Sequence, residues 1–149
     1  DLVDITSRCS NIRALKIEGI GHLQKIAEIK RLTGGRVAIF GGMGGRHFLE
    51  ELDRGVVGTI PGVAVPEATV QPFREFTKGH KDLAKEIFKK FLPYLRFFAE
   101  NTTTFVAVEK EALKARGIIR SSNVRGPGVV LDPVEIDELK SILRKIEVG

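Results

Sequence analysis

At 149 residues, with 42% hydrophobic and 29% charged side chains, the chain is long enough to bury a real core and has a soluble, globular composition. Its single cysteine, Cys9, excludes an internal disulfide framework and suits a reducing, cytoplasmic compartment. The net charge of +5 leaves no nucleic-acid footprint, because Lys and Arg alternate with acids, as at Glu109-Lys110-Glu111, without a basic run or interleaved aromatics.

A mild positive balance suits a small anionic substrate equally well. No apolar run approaches the roughly 18 residues of a membrane helix. The opening Asp-Leu-Val-Asp does not read as a signal peptide, and Asn101-Thr102-Thr103 is a chance glycosylation sequon. The chain starts without Met, and its first residues read as the end of a helix already under way, as expected of a fragment.

Residues 13–18 form a short apolar run that suits a strand and ends at Gly19. From His22 to Thr33, Leu23, Ile26, Ala27 and Ile29 or Lys30 fall near one face at helical period, and Gly34-Gly35 supply a left-handed stop. Residues 36–40 predict a second strand, closed by Gly41-Gly42-Met43-Gly44-Gly45. Residues 46–54 fit a short helix, and residues 56–60 a third strand before Pro61-Gly62. This alternation, at about 20 residues per unit, is the rhythm of parallel βα repeats. Leu15 and Ile17 share one parity and should pack on helices; Ala14, Lys16 and Glu18 share the other and should point inward.

Beyond Pro61 the pattern is helical. Residues 66–78 carry Ala68, Val70, Phe73 and Phe76 and stop at Gly79. Residues 80–100 hold the cleanest stripe, from Leu83 and Ala84 through Ile87, Phe88, Phe91, Leu92 and Leu95. The aromatic run from Phe88 to Phe98 is expected to be core or subunit interface. A helix over 103–116 ends at Gly117, and residues 118–131 are a Gly/Pro/Val loop. Asp132-Pro133-Val134-Glu135 has the capping-box signature of a last helix, lined by Ile136, Leu139, Leu143 and Ile146. Three βα units followed by a helical appendage are therefore expected.

Lys16 stands on the inward parity near the C-terminal end of its strand. A lysine held there loses hydration, and its neutral amine can attack a carbonyl to form an imine. An edge-strand lysine that snorkels to water fits the same pattern. Glu18 invites a general-base role, but a structural ion pair is the better expectation. The Gly41–Gly45 loop lacks the features of a P-loop or a dinucleotide fingerprint. It suits either backbone N–H groups facing a small carboxylate or an ordinary turn. His22, His47 and His80 lack metal-ligand spacing, so no metal site is expected and all three read as surface or helix-packing residues. Cys9 reads as inert.

The segment Asn11-Ile12-Arg13-Ala14-Leu15-Lys16-Ile17-Glu18 resembles the stretch around the imine-forming lysine of dihydrodipicolinate synthase/N-acetylneuraminate lyase family members. Gly41-Gly42 resembles the family's turn beside the substrate carboxylate, residues 55–62 its final barrel strand, and Leu92-Pro93 with the loop before Asp132-Pro133 its helical appendage. The resemblance implies the C-terminal part of a (β/α)8 barrel followed by a helical region. Residues 1–63 would be the last βα units, and residues 64–149 the final barrel helix and appendage. It implies a cofactor-free Schiff-base lyase or aldolase acting on pyruvate or a related 2-keto acid, with Lys16 as nucleophile and Gly41, Gly42 and Ile60 around the substrate. A homo-oligomer or a complementing half-barrel is the implied partner. Two departures stand out: Ala14 replaces the glycine two residues before the lysine, and Gly42-Met43-Gly44-Gly45 replaces the acidic residues that follow the turn glycine in the synthases. They leave a 2-keto-3-deoxy-sugar-acid aldolase, or a non-catalytic half-barrel fragment, as alternatives.

Overall fold

The computed structural model describes residues 2–99, 104–126 and 128–147. Helix α1 (Leu2–Arg8) leads into strand β1 (Ala14–Lys16), helix α2 (His22–Thr33), strand β2 (Ala38–Gly41), a 3-10 turn (Met43–Gly45), helix α3 (Phe48–Asp53) and strand β3 (Gly58–Thr59). The strands form one parallel sheet in chain order, β1-β2-β3. They are shorter than the sequence suggests, yet pairing runs past their ends. The N–H of Ile17 donates to Phe40 O at 2.9 Å, and that of Ile60 to Gly41 O at 3.2 Å.

Burial alternates along β1 as the pattern requires. Leu15 and Ile17 turn to the core, and Ala14, Lys16 and Glu18 stay on the open face. Helix α2 has the expected bounds, but its buried face is His22, Ile26, Ile29 and Thr33, while Ala27 is exposed. A histidine therefore takes a place that periodicity assigns to an aliphatic residue.

Four helices follow: α4 (Glu67–Thr77), α5 (Lys81–Ala99), α6 (Phe105–Ala115) and α7 (Pro133–Lys145). Within α4, Ala68 is buried and Phe73 and Phe76 are half-buried, whereas Val70 faces outward at the edge of β3. Phe88 and Phe91 of α5 are core residues; the side chain of Phe98, residues 100–103 and the sequon at 101–103 lie outside the described residues. The capping box of α7 is formed: Asp132 Oδ1 accepts the N–H groups of Val134 and Glu135 at 2.8 Å, and Glu135 accepts that of Asp132. One apolar core runs from Ile17 and Ile39 under the sheet, through Phe48 and Leu52, to Leu139 and Leu143. Helix α5 packs against the 3-10 turn, so the helical region braces the C-terminal ends of the strands.

Candidate functional site

The parallel register sets Lys16 opposite Phe40 and Phe40 opposite Gly58. These three residues form a row on one face of the sheet, with the Phe40 ring against Gly58. Lys16 ends β1, so its amine stands at the C-terminal edge of that row. Its side chain is 38% exposed and its Nζ lies 3.3 Å from Glu18 Oε1. The dehydrated amine that the sequence suggests is not what this chain holds. Because β1 is an edge strand, Lys16 is half open to solvent and ion-paired. Glu18 makes the ion pair expected of it.

The same Glu18 oxygen accepts the N–H of Met43 at 2.8 Å. Met43 has φ of 51°, an unusual conformation for a residue with a side chain. Glu18 holds it there together with the Gly45 N–H, which donates to Gly42 O at 2.8 Å. Both turn glycines are closely approached: a Cβ on Gly42 would meet the Glu18 carboxylate, and one on Gly41 would meet that of the buried Glu51. Glu18 thus joins Lys16 to the Gly41-Gly42 turn, and the backbone bond from Ile60 to Gly41 O brings Ile60 to the same strand ends, half exposed. The turn does hold carboxylates, but they are those of Glu18 and Glu51.

Glu51 is 0% exposed, and neither of its oxygens has a hydrogen bond of ordinary geometry among the described residues. Burial pushes its carboxyl up to about 7; the backbone N–H of Gly42 opposes the rise, and the charges of Glu50 and Glu18 add to it. His22 Nε2 lies 3.4 Å from its Oε1. The His22 Nδ1 lies 3.2 Å from Gly19 O, and its ring stacks obliquely on His47, centroids 5.1 Å apart. Burial, then the charges of Arg46 and His22, hold His47 below the usual imidazole range against an opposing pull from Glu50.

His22 and His47 are therefore packing histidines beside the site, while His80 is exposed and bound to Glu75 at 2.9 Å. Cys9 is free and exposed. Among the described residues no group of three or more His, Cys, Asp or Glu could hold a metal ion, and no helix is long and apolar enough to cross a membrane. Sequence reasoning missed Glu51. The signal was present, since Phe48, Glu51 and Leu52 share a helical face and two of the three are apolar.

The dihydrodipicolinate synthetase family profile matches residues 2–146. A dihydrodipicolinate synthase from Rhodopseudomonas palustris superposes with TM-score 0.88 at 28% identity, over 97% of this chain and 49% of its own. The dihydrodipicolinate synthase from Aquifex aeolicus gives 0.85 at 23%, over 99% and 49%. A prophage protein of the dihydrodipicolinic acid synthase family from E. coli K12, in complex with pyruvate, gives 0.83 at 22%, over 99% and 51%. The latter two share the fold. No curated protein matches the chain. The chain spans about half the length of the solved structures it resembles. From its parallel βα units to its helical region, this chain belongs to the dihydrodipicolinate synthetase family.

Proposed function

We propose that the chain supplies the lysine-bearing part of a Schiff-base lyase or synthase that takes pyruvate or a related 2-keto acid, as dihydrodipicolinate synthase does. The observation that carries this is the place of Lys16, at the C-terminal end of a parallel strand and joined through Glu18 to a tight Gly-Gly turn. Family membership, and a family structure in complex with pyruvate, support it. In this reading the three βα units are the C-terminal part of a (β/α)8 barrel. Residues 1–63 are its last units, and residues 64–149 its final helix and appendage.

The chemistry starts when the Lys16–Glu18 ion pair opens and the ammonium gives its proton to solvent water. The free amine attacks the C2 carbonyl, and the carbinolamine takes up a proton and loses water to give the protonated imine. That cation draws electrons from C3, whose proton passes to water to leave an enamine, and that carbon makes or breaks the bond to the second substrate. No cofactor is needed for these steps. The Gly42-Met43-Gly44-Gly45 turn lacks the acids of the synthases, and a 2-keto-3-deoxy-sugar-acid aldolase is the alternative.

A second observation bears on the assembly. Beside β3 runs an open groove of about 210 Å³ lined by Val57, Thr59, Val70 and Phe73 among others. An apolar strand edge of this kind invites another element to cover it. It supports a protein in which these residues work with further βα units, in the same chain or a complementing one; a cytoplasmic homo-oligomer is the proposed form. Residues 1–149 by themselves are expected to lack appreciable lyase activity, because three strands do not close a barrel.

The test is borohydride reduction of the complete protein, these residues together with the further βα units, in the presence of pyruvate, followed by peptide mass mapping. The added mass should map to Lys16. Lys16→Ala should abolish the adduct, and Lys16→Arg should do nearly as badly, because a guanidinium stays protonated. An adduct on Lys25, Lys30 or another lysine would overturn the assignment.

A further inference from the structure

Behind the turn lies a closed circuit of contacts that the imine steps leave unused. It starts at Glu18, whose Oε1 touches both Lys16 Nζ and the Met43 N–H. It passes along the backbone to Gly19, whose carbonyl lies 3.2 Å from His22 Nδ1. From His22 Nε2 it crosses 3.4 Å to Glu51 Oε1, and Glu51 Oε2 packs on Gly41. Gly41 leads through Gly42 back to Met43 and Glu18. The two loops that follow β1 and β2 are therefore locked to each other at two points, one open to solvent and one buried.

The buried point has a definite chemical requirement. If Nδ1 donates to Gly19 O, the neutral His22 ring presents a lone pair at Nε2, and an ionised Glu51 presents another. Two acceptors facing each other in a buried site repel; a single proton between them makes a hydrogen bond. Neither His22 Nε2 nor a Glu51 oxygen has a formed hydrogen bond among the described residues, and with both groups almost wholly buried a proton between them would supply the contact's cohesion.

We propose that Glu51, acting with His22, is a positioning residue: by sharing one proton across the buried contact it fixes the Gly41-Gly42 turn and, through Met43 and Glu18, the surroundings of the Lys16 amine. The proposal rests on the reading of Lys16 and this turn as the keto-acid site. Loss of the proton leaves Glu51 charged, with the Gly42 N–H beside it to offset part of the cost, so the charge bears directly on the turn. The charged and titratable groups around the pair are Glu18 from the loop after β1, Arg46 and His47 ahead of α3, and Glu50 on α3 itself.

The experiment uses the chain assembled with the further βα units that complete the barrel, with two readouts: amide hydrogen exchange over residues 40–46, and the pyruvate concentration that half-saturates borohydride trapping at Lys16. In Glu51→Ala the exchange should quicken and the half-saturating concentration rise at least about tenfold, while the trapping rate at saturation stays within about threefold. Glu51→Gln keeps a neutral donor toward His22. It should restore half-saturation to within about threefold of the unmodified chain at low pH, and should remove the weakening of pyruvate binding that the unmodified chain shows as pH rises through neutrality. Unchanged exchange and half-saturation in Glu51→Ala would overturn the proposal. If that variant fails to fold, Glu51→Gln decides: a pH dependence identical to the unmodified chain overturns it. Absence of any adduct at Lys16 in the unmodified chain would defeat the keto-acid reading instead. The exchange of residues 40–46, compared across pH in the unmodified chain and Glu51→Gln, would still decide the positioning role.

Discussion

Two buried glutamates, under the loops that follow neighbouring strands, meet opposite fates. Glu51 of α3 lies under the turn after β2 with no well-formed hydrogen bond, its Oε1 3.4 Å from an imidazole. Glu109 of α6 lies under the loop after β3, where it accepts the N–H groups of Val63 at 2.5 Å and Ala64 at 2.8 Å and the hydroxyl of Tyr94. Burial, then the charge and the hydrogen bond of Glu109, push the Tyr94 hydroxyl upward, so Tyr94 remains a donor. Beside it Arg116 donates to Ala64 O and pairs with Glu67 at 2.8 Å, closing the second contact between the helical region and that loop. Burial is common to both carboxylates; the number of donors is not. One is built as a fixed clamp and the other keeps its proton in play.

The largest effect should come from dismantling the clamp. Glu109→Ala leaves two backbone N–H groups and a phenol without their acceptor, and should cost about 4 kcal/mol of stability, read from the denaturant midpoint. A loss below about 1 kcal/mol would mean that the loop finds other partners and the contrast with Glu51 is unfounded.

Glu51→Gln should act with the opposite sign. Its carboxyl is raised from 4.5 to about 7 in the folded chain, so the folded state prefers the protonated form. The associated stability is fully present below 4.5, falls as pH rises from 4.5 to about 7, and is constant above. The glutamine, which does not titrate, should therefore gain on the unmodified chain by about 3 kcal/mol across that window. Parallel stability-against-pH curves for the two proteins would break the comparison.

The smallest effect isolates one donor of the clamp. Tyr94→Phe leaves Glu109 with its two N–H groups and should cost about 1.5 kcal/mol, again from the denaturant midpoint. A cost equal to that of Glu109→Ala would show that the phenol alone holds the carboxylate in place.

The parts of the fold legible in the sequence were those set by local pattern and chemistry. Helix α2 begins and ends where its glycines require, and the capping box of α7 forms from Asp132 and Glu135. The order of strands and helices, and the parity of Leu15 and Ile17, follow from periodicity. The strand lengths were less legible. Hydrophobic runs continue beyond the ladder, because residues such as Val56 are buried by helices after pairing stops. Position along a strand pointed to Lys16, and the glycine run pointed to Gly41 and Gly42. Periodicity put Glu51 on the apolar face of α3 and His22 at the start of the α2 face, but polar residue types are assigned to the surface until a neighbour is known to cover them, so neither stood out.

By itself the sequence determined the βα rhythm, the helix stops, the helical region after Pro61 and the presence of one inward-parity lysine. Each rests on contacts within a few residues or on a single repeating period. Only the tertiary structure decided that Glu18 bridges Lys16 to Met43, that Glu51 lies against Gly41 facing His22, and that Glu109 gathers the loop at Val63 and Ala64. The bond from Met43 to Glu18 spans 25 positions and that from Val63 to Glu109 spans 46. The energy of a buried charge depends on which donors the fold carries to it, and no local pattern records that.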